Sequence, residues 1–280
     1  MHKFIAAIDG LKYSDSTTGY AVQLAKAAGA TLAGVFLEDK AYHSYKIYEL
    51  LDDDGHVSET RRATLEEKDI SARAMAVKHF EKACRREGIN FIIHHDEKRA
   101  IHELLHESLY ADLLIIDKKE TLTHYDEKVP TNFVHHLLER VSCPVLVVPS
   151  VYTPFEKLVL LYDGGPSSVY AIKMFSYMFP QVKALPTEVI TVQEHGDKTG
   201  LPDSRLMKEF MRRHFPLAGY TLLKGMPDIA ITQHLTRQKQ RAIVVAGAYQ
   251  RSNVSRWFKA SLGDTLLQEL DAPLFIAHSK

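Results

Sequence analysis

The chain has 280 residues, of which 45% are hydrophobic and 25% are charged, and its 35 basic side chains balance 35 acidic ones. This length suits two domains of about 140 residues each, and the composition is that of an ordinary globular protein. The absence of an 18-residue apolar run argues against a membrane span, two cysteines argue against a disulfide framework, and the balanced charge argues against nucleic-acid binding.

The first residues, Met1-His2-Lys3 before a short apolar run, lack the apolar core of a signal peptide. We therefore expect a cytoplasmic protein with no membrane partner and no nucleic-acid partner. Residues 1–150 carry 19 basic against 24 acidic side chains, a net charge of −5, which leaves 16 against 11, or +5, for residues 151–280. A basic second half would attract a small anion, although uneven surface decoration explains the same numbers.

Strand and helix patterns alternate along the chain. The first half predicts strand 3–9, helix 15–28, strand 31–37, helix 58–87, strand 89–94, helix 98–110, strand 112–117, helix 131–141 and strand 144–148. The second half predicts strand 157–162, helix 167–179, strand 187–193, helix 202–215, strand 219–224, helix 227–238, strand 242–247, helix 260–270 and strand 273–277. Apolar strands that alternate with helices indicate an α/β fold, with parallel sheets covered on both faces and wound doubly by right-handed crossovers.

The two halves repeat one plan. An apolar run ends at Asp9-Gly10 in the first half and at Asp163-Gly164 in the second, and a strand after a proline closes each half. We therefore predict two five-stranded domains, 1–150 and 151–280. The first carries about 25 extra residues at about 40–70, estimated from the offset between the repeats. This insertion could form a lid, a partner surface or a solvated helical extension.

Ligands of doubly wound sheets bind at the carboxyl ends of the strands. In the second half this edge should hold the turn after Asp163, the strand end near Val192 and the loop 247–261. That loop has Gly247 for close backbone approach, hydroxyl and cationic side chains, and Ser261 at a helix start. Backbone amides at a helix N-terminus favour an anion such as a di- or triphosphate. A solvated loop with an ordinary serine cap is the alternative interpretation.

These residues resemble the universal stress protein family, and nearly the whole chain resembles two such domains in tandem. Nucleotide-binding members carry Gly, two residues, Gly, nine residues and Gly-Ser. The same spacing here gives Gly247, Gln250 and Ala260-Ser261, with two glycines replaced. The resemblance implies an adenine nucleotide such as ATP, with or without Mg. It also implies a binding set of Asp163, Gly164, Val192, Gly247, Tyr249, Arg251, Ser252, Ser261 and Leu262. If either replaced position needs positive φ, its side chain costs on the order of 1 kcal/mol.

The first half has lost this loop. Aligned through Pro144 and Pro273, it places Lys118, Thr121, Thr131 and Asn132 at the four loop positions, so that no glycine remains. We therefore predict that the first site does not bind a triphosphate in the family's manner, although Asp9 is kept.

Other chemistry is weakly supported by the sequence. Eleven of the 15 histidines fall in residues 1–150, but no compact metal-ligand signature appears. No Ser-His-Asp order, nucleophile elbow or paired carboxylates present themselves, so no catalytic residue is assigned. Slow ATP hydrolysis is the most that we expect.

The leading interpretation is a stress-response protein that acts as a nucleotide-binding sensor or regulator through its second domain, with an unidentified protein partner. The first alternative is an interaction scaffold of the same fold without a nucleotide, and the second is a weak ATP hydrolase. The resemblance also implies that strands 144–148 and 273–277 pair within the chain as a pseudo-dimer. Further association as a homodimer stays open.

Overall fold

The computed structural model describes residues 2–38, 42–96, 100–193, 200–238, 241–247 and 260–277. Its strands are β1 Lys3–Asp9, β2 Thr31–Leu37, β3 Phe91–Asp96, β4 Leu113–Asp117, β5 Val145–Val148, β6 Lys157–Leu161, β7 Thr187–Gln193, β8 Gly219–Lys224, β9 Ala242–Gly247 and β10 Leu274–Ala277. Its α-helices are α1 Asp15–Ala28, α2 Glu59–Glu87, α3 Ala100–Glu107, α4 Asn132–Arg140, α5 Pro166–Met178, α6 Ser204–His214, α7 Pro227–Gln238 and α8 Ala260–Glu269.

Local sequence signals set several of these boundaries. The side chain of Ser14 accepts a hydrogen bond at the start of α1, and Gly29 ends this helix in the left-handed conformation. Ser58 and Gly88 do the same for α2. A serine cap and a glycine stop satisfy backbone groups that a helix end otherwise leaves unpaired, so both helices begin and end where the sequence predicts.

The ten strands form one sheet in the order β3-β2-β1-β4-β5-β10-β9-β6-β7-β8. Each half contributes five parallel strands in the same relative order. The halves join where β5 and β10 pair antiparallel, with Leu146 opposite Phe275. The α/β class and the mostly parallel sheets are confirmed, and the pairing of the two closing strands is present as expected. Because this pairing is continuous, the two predicted sheets are one.

Apolar side chains are buried on both faces of this sheet, as near-continuous apolar strands require. On one face the core runs across the junction, where the ring of Phe4 lies 5.8 Å from that of Phe179. The hydroxyl of Tyr20 donates to the carbonyl of Thr153 at 2.8 Å, which holds the segment between the halves. No helix among the described residues combines the length and apolar character needed to cross a membrane.

Three segments differ from the sequence prediction. Strand β3 begins at Phe91, two residues later than expected, because its register against β2 places Phe91 opposite Leu32. The predicted helix 98–110 is α3 followed by a 3-10 turn at Ser108–Tyr110. The 40–70 insertion holds a short 3-10 helix at Ile47–Leu50, a bridge between Leu51 and Val57, and the first turns of α2.

Candidate functional site

The predicted second-half site lies where β6 and β9 end. These strands are hydrogen-bonded neighbours, with Leu160 opposite Val245, so the turn after β6 and the end of β9 meet at one edge of the sheet. β9 ends at Gly247, and the next described element, helix α8, begins at Ala260. The structure therefore brings Asp163, Gly164 and Gly247 to the same edge.

Asp163 organises the turn that follows β6. Its side chain is buried, and Oδ1 accepts hydrogen bonds from the Gly165 amide at 2.8 Å and from the Ser168 hydroxyl at 2.7 Å. Gly164 has φ +80°, and a Cβ at this position would lie 2.7 Å from Cβ of Pro202. A side chain at Gly164 would be both strained and obstructed, so the Asp-Gly-Gly turn has a structural reason of its own.

Position 247 must be glycine because the protein's own backbone lies against it. A Cβ at Gly247 would lie 2.5 Å from the carbonyl carbon of Ser167 and 2.6 Å from the amide nitrogen of Ser168. Both atoms belong to the first turn of α5. The sequence interpretation assigned this glycine to close approach by a ligand, whereas the observed close approach is by helix α5.

The remaining second-half residues divide into two groups. Val192 and Leu262 are buried, with 3% and 1% of their surface exposed, within the same apolar cluster, so a ligand would meet at most their backbone. Ser261 lies in the first turn of α8, where only its backbone is described. Tyr249, Gln250, Arg251 and Ser252 lie outside the described residues.

The first-half loop is shifted by one residue from the sequence alignment. Asp117 pairs with Val148 at the end of β5, just as Gly247 pairs with Ala277 at the end of β10. The counterpart of Gly247 is therefore Asp117, and the assignment of Lys118 to that position was wrong. An alignment through Pro144 and Pro273 fails here because 26 residues separate Asp117 from Pro144, whereas 25 separate Gly247 from Pro273.

Lys118 instead crosses to the second half. Its side chain is buried, and Nζ donates to the Leu270 carbonyl at 3.0 Å and to Oδ1 of Asp271 at 3.0 Å. Leu270 directly follows α8. A cation at the carboxyl end of a helix is stabilising, so this loop residue anchors α8.

The first-half cleft is covered by the insertion. The phenol of Tyr42 donates to Oδ2 of Asp9 at 2.8 Å, and Oδ1 of Asp9 accepts from the Leu11 amide at 2.7 Å. Arg73 on α2 donates to the Tyr42 carbonyl at 3.0 Å, and the His124 ring lies 5.7 Å from the Tyr42 ring. Sequence reasoning missed Tyr42 because 33 residues separate it from Asp9 and no local pattern links them.

Buried carboxyl groups surround this cleft. Burial, with the nearby Asp9 carboxylate as the second cause, raises the pKa of Glu120 to about 8. Burial also raises the pKa of Asp9, against the hydrogen bonds that it accepts. The Asp117 carboxylate accepts from the Ser14 hydroxyl at 2.9 Å. Three acidic groups at one edge create a poor environment for a phosphate.

Metal ligation has no support in the part of the chain that the structure describes, where no group of three or more His, Cys, Asp or Glu side chains is arranged around a common point. Both cysteines are buried, and burial raises the pKa of each thiol to about 12. Cys84 and Cys143 therefore act as apolar packing residues.

Comparison with known proteins identifies the family of this chain. The model of the universal stress protein family matches residues 1–149. A search of curated proteins found no significant match. A universal stress protein from Archaeoglobus fulgidus DSM 4304 superimposes with a TM-score of 0.67 at 14% identity, over 99% of this chain and 98% of that one.

Two further structures are similar. A functionally unknown protein from Pseudomonas aeruginosa PAO1 has a TM-score of 0.59 at 12% identity, over 99% of this chain and 92% of that one. A universal stress protein in complex with cAMP has a TM-score of 0.34 at 12% identity, over 46% of this chain and 100% of that one. At these identities the whole-chain likenesses show the fold.

Proposed function

The chain belongs to the universal stress protein family, and on that basis we propose that it is a stress-response protein that binds ATP or another adenine nucleotide in its second half. It acts as a sensor or regulator rather than as a turnover enzyme. We also infer that residues 1–150 and 151–280 are two domains of this family, because the strand order of one half repeats in the other.

The observation that carries the proposal is the shared edge of β6 and β9. The turn around Asp163 and Gly164 lies there with Gly247, and α8, the next described element after β9, begins at Ala260. A helix N-terminus supplies unpaired amides for phosphate oxygens, and a buried carboxylate suits ribose hydroxyl donors. Backbone near Val192 would meet the adenine, and Tyr249, Arg251, Ser252, Ser261 and Leu262 complete the proposed site.

The first half is proposed to bind no triphosphate. Asp117 stands where the second half has Gly247, Glu120 is buried beside Asp9, and Tyr42 covers Asp9. A phosphate placed there would face carboxyl groups rather than amides. The expected stoichiometry is therefore one nucleotide per chain.

The second candidate is a scaffold that binds no nucleotide, and one observation favours it. The space beside Gly247 is filled by Ser167 and Ser168 of α5, so this glycine does not by itself require a ligand. In that case the family fold would act through its surfaces, with the insertion as the first surface to examine.

Isothermal titration of the full chain with ATP, ADP and AMP, each with and without Mg²⁺, separates the two candidates. We expect binding of one ATP, and Asp163→Asn should weaken it by about tenfold because a carboxylate acceptor is lost. Asp9→Asn is the matched control and should leave the affinity unchanged. Absence of heat at millimolar nucleotide would support the scaffold, and steady release of phosphate would support slow hydrolysis.

The altered loop positions give a second test. Gln250→Gly and Ala260→Gly should raise the affinity for ATP if those side chains restrict the phosphate loop. An unchanged affinity in both variants would show that the loop tolerates them.

A further inference from the structure

Strand β8 is the last strand of the sheet, and its outer edge pairs with no strand among the described residues. Its sequence is Gly-Tyr-Thr-Leu-Leu-Lys, with no proline and no charged residue before Lys224. Edge strands of natural proteins are commonly protected by such residues, because their unpaired backbone groups are a template for another strand. The edge of β8 lacks this protection along most of its length.

One face of β8 is also exposed. Tyr220 and Leu222 point to the same face and are 41% and 45% exposed. At the other end of the sheet, Phe91 of β3 packs against the core and meets the Phe80 ring of α2 at 6.1 Å. Helix α2 has 29 residues, whereas α6, its second-half counterpart, has 11. The first-half edge strand is therefore covered by a long helix, and β8 has no equivalent cover in the described part of the chain.

The exposed residues of β8 also direct their backbone groups outward. The Gly225 amide, just after β8, donates to the Gln193 carbonyl of β7 at 3.0 Å. Backbone groups of successive residues in a strand point to opposite sides, so every second residue before Gly225 also points to β7. Tyr220, Leu222 and Lys224 therefore present their N–H and C=O groups to the free edge.

The fold already joins two sheet edges within one chain. Strands β5 and β10 pair antiparallel, with Leu146 opposite Phe275 and Val147 opposite Leu274. This contact extends the sheet across the two halves. A further contact of the same kind needs only an edge that is complementary to itself.

Strand β8 is complementary to itself about a twofold axis at Leu222. Leu222 then lies opposite Leu222 of a second copy, and Tyr220 lies opposite Lys224 of that copy. Each pair exchanges both of its backbone hydrogen bonds, the apolar pair is stabilising, and an ammonium group beside a tyrosine ring is favourable. Leu217 and Met226, which are exposed at the two ends of β8, also meet across this axis.

We propose that two copies of this chain associate through β8, antiparallel and in the register centred on Leu222, so that their sheets become continuous. A twofold contact closes on itself and leaves β3 at both ends of the joined sheet. Strand β3 is the less suitable edge, because it ends in His94, His95 and Asp96. The association does not depend on nucleotide binding, since residues 217–226 contribute nothing to the proposed nucleotide site.

Sedimentation equilibrium of the full chain measures this association. We expect the mass to rise with concentration from the 31.7 kDa of one chain to twice that value. Leu222→Lys should raise the dimer Kd by about tenfold or more, because two ammonium groups would then lie opposite each other. Ile92→Lys is the matched control, since Ile92 is 41% exposed on β3 at the other end of the sheet. This variant should dimerise like the parent chain.

Cysteine cross-linking tests the register. Both natural cysteines are buried, so a thiol introduced on β8 reports the contact. Leu222→Cys should give a disulfide-linked dimer under mild oxidation, because paired Cα atoms at about 5.5 Å suit a disulfide. Tyr220→Cys should cross-link far less, because its counterpart in the second copy lies four residues along the strand, about 14 Å away.

Three results would overturn the proposal. The first is a mass of one chain at every concentration up to about 0.5 mM, which corresponds to a free energy of association weaker than about 4.5 kcal/mol. The second is a dimer whose Kd is the same in Leu222→Lys and Ile92→Lys. The third is equal cross-linking of Leu222→Cys and Tyr220→Cys. If Leu222→Lys fails to fold, as judged by circular dichroism, the two cysteine variants decide the outcome.

Discussion

Single glycines in this protein have different structural roles. Gly247 in β9 meets the backbone of Ser167 and Ser168, whereas the nearest atom to a Cβ at Gly219 in β8 is the Thr187 carbonyl oxygen at 4.0 Å. Both glycines lie in strands and neither has a positive φ. Their different surroundings therefore give a clean comparison of one substitution.

We predict that Gly247→Ala lowers the free energy of unfolding by roughly 1–3 kcal/mol, because backbone atoms of α5 cannot move away cheaply. Gly219→Ala should be neutral or slightly stabilising, since alanine restricts the unfolded chain. Urea unfolding of both variants measures the difference. Equal stability of the two would mean that α5 shifts freely, contrary to the observed packing.

A buried cluster of charged and polar side chains surrounds Glu188 in the second half. Glu188 of β7 accepts from Lys157 at 2.6 Å, Thr221 at 2.5 Å, His234 at 2.8 Å and Gln238 at 3.0 Å. Burial alone would raise the pKa of Glu188, but these hydrogen bonds outweigh it and lower the pKa to about 2. These partners lie on β6, β8 and α7, so the carboxylate ties three elements to its own strand, β7.

This depressed pKa predicts an acid-sensitive contribution. The ordinary pKa of 4.5 applies to the unfolded chain and about 2 to the folded one. Glu188 therefore stabilises the fold above pH 4.5 and loses that effect as the pH falls toward 2. Glu188→Gln should cost on the order of 3 kcal/mol at pH 7 and little at pH 2. Urea midpoints across this range provide the measurement, and a constant difference at all pH values would contradict the assignment.

At the scale of elements, the segment that contains Tyr42 and the loop after β4 form one unit. Tyr42 covers Asp9 and is held by Arg73, while Glu120 accepts from the Thr121 amide at 2.9 Å and the Leu122 amide at 3.0 Å. Burial and the nearby Asp9 carboxylate both favour the protonated form of Glu120, which is why its pKa is raised.

Glu120→Gln tests this arrangement, since the amide keeps the acceptor oxygen and removes the titration. The folded pKa of about 8 lies above the ordinary value of 4.5, so the parent chain loses stability as the pH rises from 4.5 to 8. The variant should match it near pH 4.5 and have a higher Tm at pH 8 by about 2–8 °C. Glu67→Gln, at an exposed site on α2, is the control. If the Tm of Glu120→Gln at pH 8 equals that of the parent chain, the prediction is wrong.

For the whole molecule, the antiparallel pair β5–β10 decides the architecture. Phe275 of β10 is fully buried and meets the Phe175 ring at 5.1 Å. The core on this face contains residues of both halves, among them Phe4 and Phe179. A sheet and core shared in this way predict that the halves unfold together.

Two natural probes can check that cooperativity. The single tryptophan, Trp257, lies in the second half of the sequence, and both cysteines lie in the first half. Tryptophan fluorescence and cysteine labelling should give the same urea midpoint. Phe275→Ala should lower the free energy of unfolding measured with either probe by about 3–5 kcal/mol. Separate midpoints would mean that the halves unfold independently.

Sequence periodicity located most elements to within a few residues, because apolar strands, serine caps and glycine stops act locally. Helix α1 begins and ends at its predicted residues. The alignment of Asp117 with Gly247 was missed because strand register, rather than proline spacing, fixes it. The sequence predicted that Asp163, Gly164 and Gly247 share one edge of the sheet, but it did not predict that packing against α5 is the reason for glycine at position 247.

The sequence by itself determined the α/β class, the repeated order of strands and helices along the chain, and the family, since these depend on periodicity and short motifs. Only the tertiary structure decided that β5 and β10 make one sheet, that Tyr42 covers Asp9, and that Lys118 anchors α8. The physical reason is sequence separation. These contacts join residues 33 to 152 positions apart, and their partners are chosen by packing and by the satisfaction of buried polar groups, which no local pattern encodes.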